Sequence, residues 1–326
     1  MARTPSTALT QPVVALAGGV GAARLLRGII EVVPPRDVVA VVNTADDVVR
    51  HGLHVSPDLD TVTYTLAGAV PPERGWGLED ETWTAMEALA RYGEVAPPGS
   101  QAGTTWFRLG DRDLATHLYR TARLADGDPL SAITAEVAAA WGVGVRILPM
   151  SDDPVRTIMD VVGEGEMGFQ EYFVERRHAV PVKKVRFEGA ATARPAPGVL
   201  DALAAANTVV ICPSNPIVSI APIVAVPGVR EAVMARRDRT VAVSPIVAGA
   251  ALRGPADRLL AELGHEVSVA GVARLYASIA ATLVVDEADA GQAAAVEAAG
   301  MRCVVAPAVM RGVPEAAALG RIVLGR

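Results

Sequence analysis

Val13-Val14-Ala15-Leu16-Ala17-Gly18-Gly19-Val20-Gly21-Ala22-Ala23-Arg24, then Val38-Val39-Ala40-Val41-Val42-Asn43-Thr44-Ala45-Asp46-Asp47 and Ser56-Pro57-Asp58-Leu59-Asp60, is the stretch that decides the fold. Val13–Ala17 is apolar throughout, as a strand covered on both faces must be. Residues 21–33 read as a helix ended by Pro34-Pro35, and 38–43 as a second buried strand. Together they make a βαβ unit of ordinary length.

Outward from this unit, residues 61–66, 79–91, 114–124 and 130–141 carry helical periodicity, with Pro129 placed at a first helical turn. Pro97-Pro98-Gly99-Ser100-Gln101-Ala102-Gly103 reads as a loop between two of them. Residues 145–148 return to strand, and 155–182 show short mixed elements of less regular periodicity. After Pro195, strands at 208–212, 240–244, 282–285 and 302–306 alternate with helices at 198–206, 229–237, 256–263, 272–280, 292–299 and 314–323. Such alternation predicts an α/β protein with a Rossmann-like, doubly wound, mostly parallel sheet. Residues 11–60 and 142–326 form its core, and 61–141 a mainly helical insertion serving as a substrate-binding lid, all one integrated unit.

Bulk properties exclude several classes. The 326 residues include ample apolar material for a core, at 51% hydrophobic. No apolar run reaches the length of a membrane span without a charge, glycine or proline. A net charge of −6 argues against a nucleic-acid surface, which needs clustered positive charge. Lys183 and Lys184 are the only lysines, so a Walker-type loop has none to use. Two cysteines, Cys212 and Cys303, make neither a disulfide framework nor a zinc-type pair. With no apolar signal core before the first strand, a cytoplasmic location is the expectation.

Gly18-Gly19-Val20-Gly21 occupies the place where Rossmann folds hold a pyrophosphate, but Arg24 stands where the fingerprint wants a third glycine. The second strand ends in Asn43 rather than in the acidic residue that binds a ribose hydroxyl. Dinucleotide binding recedes; the glycines either let the turn close tightly or present amides to an anion. Asp46-Asp47, Asp58-x-Asp60, Asp111-x-Asp113 and Asp152-Asp153 are acidic pairs suited to strand ends. Such carboxylates suit magnesium, which also takes phosphate and water oxygens, and equally suit helix N-caps.

Arg108 and Arg112 flank the Gly110 turn and offer guanidinium forks to a phosphate or a ring carbonyl, or else pair with neighbouring aspartates. Cys212-Pro213-Ser214-Asn215-Pro216 and Ser244-Pro245-Ile246 come after strands in the second half, where proline rigidity can aim Ser214 and Asn215 into a crevice. His51-x-x-His54 lies in a loop-like stretch and does not make a zinc site; His117 and His178 read as capping or packing residues. Trp76, Trp83, Trp106 and Phe107 either wall a flat ligand or pack helices.

The chain as a whole resembles the CofD/FbiA family of transferases in coenzyme F-420 biosynthesis. The resemblance rests on seven blocks in order: Ala17 to Gly21, Val42 to Asp47, Ser56 to Thr61, Leu109 to Asp113, Leu148 to Pro154, Pro213 to Pro216 and Ser244 to Ile246. Val20, where threonine is frequent, and a longer loop at 97–103 are its departures. It implies a magnesium-dependent transfer of a phosphoenolpyruvyl or 2-phospholactyl group from a guanosine diphosphate donor to the ribityl hydroxyl of the deazaflavin Fo, with release of GMP. It also implies a homodimer.

On that resemblance, Asp46 and Asp60 hold Mg2+, and Asp60 orients or deprotonates the attacking hydroxyl. Arg108 takes Fo with Asp111 and Arg112 beside it, while Gly18, Gly19, Gly21, Ser214 and Asn215 take the phosphates and guanosine. A rival resemblance is to YvcK-like proteins, regulators that bind nucleotide sugars and share the glycine turn and the Asn-Thr-Ala-Asp-Asp block. Ser56 to Asp60 and Leu109 to Asp113 match the transferases better.

Overall fold

The computed structural model describes residues 12–71 and 73–326, so the N-terminal segment read for a targeting signal lies outside the described residues. Seven parallel strands make the central sheet: β1 (Val13–Ala17), β2 (Val38–Val42), β3 (Arg146–Pro149), β4 (Thr208–Ile211), β5 (Thr240–Val243), β6 (Thr282–Val285) and β7 (Arg302–Val305). Their order is β3-β2-β1-β4-β5-β6-β7. Strand order therefore reverses at β1, between β2 on one side and β4 on the other. The α/β, doubly wound reading is what the chain adopts.

Sheet side chains alternate between two cores. Val14, Leu16, Val39, Val41, Val209 and Ile211 enter one apolar cluster, whereas Val13, Ala15, Ala17, Val38, Ala40, Val42 and Val210 enter the other. Both faces are covered, which explains the unbroken apolar runs. Register matters for the site: Ala17 pairs with Val42 and Leu16 with Ile211, so β1 and β2 end level and β4 one residue short of them at one edge. Gly18, Asn43 and Cys212, each the first residue beyond its strand, emerge together at that edge.

Helix α1 (Gly19–Ile29) leaves the first turn and packs against both α2 (Pro57–Leu66) and the C-terminal helix Val313–Val323. At Gly28 a side chain would run into the Ala316 backbone, so glycine permits that close helix crossing. The region between β2 and β3 also holds α3 (Thr84–Gly93), α4 (Asp113–Ala125) and α5 (Leu130–Ala140). Here α2 packs on α1 and α5 on β3, which makes both part of the layers around the sheet. Only α3 and α4 stand further out.

Besides the short antiparallel ladder of Ile246–Val247 with Ala250–Ala251, two antiparallel units lack a clear trace in the sequence pattern. One is the hairpin Val48–Arg50 with Leu53–Val55, whose turn contains His51 and explains the loop-like spacing of His51 and His54. The other is a three-stranded sheet of Gly165–Gly168, Arg156–Val161 and Val182–Glu188, found where the periodicity is irregular. Among the described residues no helix is long and apolar enough to cross a membrane.

Candidate active site

A cleft of about 940 Å³ opens at the carboxyl ends of β1, β2 and β4, where the strand order reverses. Open α/β sheets place ligands at this point because the loops on either side diverge and leave a crevice. The first wall is the glycine turn. Gly18 donates its N–H to Ser214 Oγ at 3.3 Å and accepts the Ser214 hydroxyl at 2.8 Å, joining the loops after β1 and β4. A Cβ at Gly18 would stand 2.7 Å from Asp58 Oδ2, one at Gly21 would meet the Pro213 carbonyl, and Gly19 has φ +71°. Glycine is thus required by close approach and backbone geometry. The first amide of α1, Gly19 N–H, is held by Asp58 Oδ1 at 2.9 Å, so a carboxylate of the protein already sits at this helix N-terminus.

The second wall lies beyond β2. The Asn43 amide nitrogen bridges Asp46 Oδ2 at 3.1 Å and Asp58 Oδ2 at 3.0 Å. Asp46 Oδ1 is buried without a well-formed hydrogen bond among the described residues, and the nearby Thr157 hydroxyl favours the anion of this carboxyl. Burial lifts the Asp46 carboxyl well above its usual range, and the neighbouring Asp58 charge adds to the shift. Burial likewise pushes Asp58 up to about 6, against hydrogen bonds from Asn43 and Gly19 that favour its anion. Two buried carboxylates side by side, both raised by burial and one of them also by the other's charge, are a donor set that a hard divalent cation fits.

The third wall comes from α2 and α4. Asp60 on α2 is buried, with both oxygens clasped by Arg120 of α4, Oδ2 to Nη1 at 3.2 Å and Oδ1 to Nη2. Burial raises its carboxyl, while Arg120 and then His117 oppose that shift. His117 Nδ1 stands 3.7 Å from Asp60 Oδ2, and its Nε2 3.2 Å from Asp113 Oδ2, whose other oxygen accepts the Tyr64 hydroxyl at 2.6 Å. Asp60, Asp113 and His117 also place one ligand atom each within 4.8 Å of one another, an arrangement able to hold a metal ion.

Of the site residues expected from the sequence, Gly18, Gly19, Gly21, Asp46, Asp60, Arg108, Ser214 and Asn215 line this one cleft. Arg108 lies 5.1 Å over the Trp83 ring and 3.6 Å from Glu87, with both ionic partners exposed. Asn215 turns its Oδ1 back to Ile217 N–H at 2.9 Å, and its Nδ2 is buried without a partner among the described residues.

Asp111 and Arg112 face elsewhere. Asp111 accepts the Thr82 hydroxyl at 2.6 Å and the Thr84 and Ala85 amides at 2.8 and 2.9 Å, which caps the first turn of α3 and lowers its pKa. Arg112 directs its guanidinium to the Glu79 carbonyl and its amide to Glu81 at 2.6 Å. Asp152 is a cap too, holding Ser131 N–H at 2.7 Å at the start of α5. Ser244 closes its own turn through Ile246 N–H at 3.1 Å. Trp76, Trp106 and Phe107 reach the cleft with Phe169 and Phe173, while Trp83 packs with Val55, Met86 and Leu109.

The sequence reading passed over Tyr64 and Arg120, noted Asn43 only as a missing ribose ligand, left Asp58 between metal ligand and helix cap, and gave His117 a capping or packing role. The available signal was spacing: Asp60 with Tyr64, and Asp113 with His117 and Arg120, stand three or four residues apart on single helix faces.

The family model described as 2-phospho-L-lactate transferase CofD matches residues 13–308. The chain belongs to the CofD family. Curated CofD-like relatives named phosphoenolpyruvate transferase include one from Streptomyces griseus, 48% identical over 95% of this chain and 96% of that protein. Others come from Kitasatospora aureofaciens, 47% identical over 96% of both chains, and Nocardia farcinica, 44% identical over 84% of this chain and 82% of its own. Membership of CofD makes this chain a transferase. A solved UPF0052 family protein from Bacillus halodurans shares the fold, with a TM-score of 0.61 at 17% identity over 97% of this chain and 99% of its own.

Proposed function

We propose that this transferase moves a phosphoenolpyruvyl group, or its 2-phospholactyl counterpart, from a guanosine diphosphate donor to the ribityl hydroxyl of Fo in coenzyme F-420 biosynthesis. The name shared by the relatives favours the phosphoenolpyruvyl donor. The observation that carries the reading is the buried Asp46 oxygen without a well-formed hydrogen bond, beside Asp58, at the strand-order switch and in the same cleft as Asp60 and Ser214. A diphosphate ester needs that combination: acidic groups for its metal on one side and neutral donors on the other.

In the transfer, the acceptor hydroxyl oxygen bonds to the phosphorus bearing the three-carbon group. The bond from that phosphorus to the bridging oxygen breaks, and GMP leaves with the electron pair. Magnesium bound at Asp46, with Asp58 and Asp60 beside it, would neutralise the diphosphate charge in this step. Asp60 keeps a second lone pair on each oxygen while Arg120 clasps it, so it can accept the hydroxyl proton or hold the hydroxyl in line. Asn215 Nδ2, buried without a partner among the described residues, supplies a donor for guanosine or phosphate. Trp76, Phe107 and Arg108 offer aromatic faces and a cation for the flat deazaflavin. A cytoplasmic homodimer completes the reading.

Asp60→Asn keeps the shape of the side chain and removes its charge. In a magnesium-dependent assay of Fo consumption, kcat should fall by about 100-fold or more, with KM for Fo nearly unchanged. Full turnover by that variant would remove Asp60 from the chemistry. Tight binding of a UDP-sugar without any binding of Fo would instead support a nucleotide-sugar regulator.

A further inference from the structure

Three arginines lie over indole rings around the cleft, and one of these contacts is much the tightest. Arg50 Cζ stands 3.7 Å from the Trp106 ring centroid, against 5.1 to 5.5 Å for Arg74 and Arg108 over Trp76 and Trp83. That is van der Waals contact between a guanidinium and an indole face, which attract each other through the ring quadrupole. The hairpin holds the backbone beneath it: Arg50 pairs with Leu53, and the turn between them takes His51 at φ +51° and Gly52 at φ +77°. No stronger partner competes for the side chain. Its Nε is buried without a hydrogen-bond partner among the described residues. Glu171 and Glu175, whose charges attract Arg50, lie 3.8 and 4.0 Å from Arg176 instead.

Trp106 is the ring of this pair that meets the cleft. It lines the cavity with Phe107, which stands edge-on to it at 5.9 Å and 87°, whereas Arg50 is not among the lining residues. Phe107 is fixed in turn by a small apolar cluster that includes Val48 and Leu53 of the same hairpin. The guanidinium therefore takes the indole from outside the cavity, and Phe107 takes it from the edge. We propose that Arg50 is a positioning residue for the acceptor: stacked on Trp106, it holds that indole as a wall on which a flat aromatic ring in the cleft packs. Aromatic rings attract in offset or edge-on arrangements at centroid separations of about 4.5–7 Å, so a tilted indole loses much of that contact. An indole left loose would have to be ordered by the ligand itself, at a cost in affinity. The effect falls on binding of the ring and spares the reacting groups.

This role rests on the reading of Fo as the acceptor, and binding measured without donor separates the two. Fluorescence titration gives the dissociation constant for Fo of wild type, Arg50→Met, Arg50→Lys, Trp106→Leu and the double variant of Arg50→Met with Trp106→Leu. Arg50→Met should weaken Fo binding by about fivefold or more and raise KM for Fo alike, with kcat and KM for the donor within about twofold of wild type. Arg50→Lys, which keeps a cation for the ring, should recover part of the loss. In the double variant Arg50→Met should add little to the loss caused by Trp106→Leu, because both changes act on one wall. The near-UV circular dichroism band that Trp106→Leu abolishes should also collapse in Arg50→Met, while melting temperatures stay alike. Fo binding by Arg50→Met as tight as wild type, an unchanged band, or fully additive losses in the double variant would overturn the proposal. A fall of kcat and melting temperature along with affinity would make Arg50 a structural residue and overturn it too. If the wild type binds Fo and transfers nothing, the functional reading fails while the binding cycle still decides the role of Arg50. A wild type that binds no Fo overturns both.

Discussion

Asp58 shows how one side chain can hold two structures together. Its carboxylate takes the first amide of α1 and the Asn43 amide, beside the Asp46 carboxylate that burial and Asp58 itself hold above its usual range. Such a residue ties stability to pH with a definite sign. Its pKa is 3.8 in the unfolded chain and about 6 in the folded one, so between those values the folded state keeps a proton that the unfolded state has lost. Stability from this group is therefore fullest below 3.8, falls as pH rises towards 6, and stays low above it. Thermal unfolding of wild type and Asp58→Asn from about pH 3.5 to 7 should show the difference moving in favour of the variant across that window. A difference that is flat, or that moves towards wild type, would mean that the carboxylate is not held protonated by burial. None of this is visible in the sequence, where Asp58 before Leu59-Asp60 is as good a helix cap as a ligand. In the structure it caps a helix, α1, that begins 39 residues earlier in the chain.

At the scale of elements, the strands were legible because burial on both faces writes itself into composition. β1 and β6 occupy the expected residues, β3 is shifted by one residue at both ends, and the remaining sheet strands end one residue early. Helix starts were less legible. α3 begins at Thr84, where the Asp111 carboxylate receives the Thr84 and Ala85 amides, and a cap supplied from 27 residues away leaves no local signature. The three-stranded sheet was illegible for another reason. In Val182–Glu188 only Val182 is buried, and in Arg156–Val161 a buried position is held by Thr157, so alternation of polarity is lost. Asp111 gives the element-scale test. Asp111→Ala should lower the melting temperature, as loss of a helix cap does, while kcat and KM for Fo stay near wild type. A large rise in KM with unchanged melting would return Asp111 to the substrate side.

For the whole molecule, the repeated βα pattern gave the sheet, and the neighbouring carboxyl ends of β1, β2 and β4 gave the place of the cleft. Four separate blocks of the chain, around Gly18, Asp46, Asp60 and Ser214, converge there because strand order reverses at β1. The lock between α2 and α4 was not legible, since its pairings join residues 49 to 60 positions apart and depend on how two helices face each other. The central claim is a transfer reaction carried out in that cleft. The most direct measurement is to incubate the protein with Fo, magnesium and, separately, the guanosine diphosphate donors of phosphoenolpyruvate and phospholactate, and to weigh the products by mass spectrometry. The account predicts that Fo gains the three-carbon phosphoester group, with the phosphoenolpyruvyl donor preferred, and that GMP appears in equal amount. Fo of unchanged mass with both donors, under conditions where magnesium and both substrates are saturating, would contradict it.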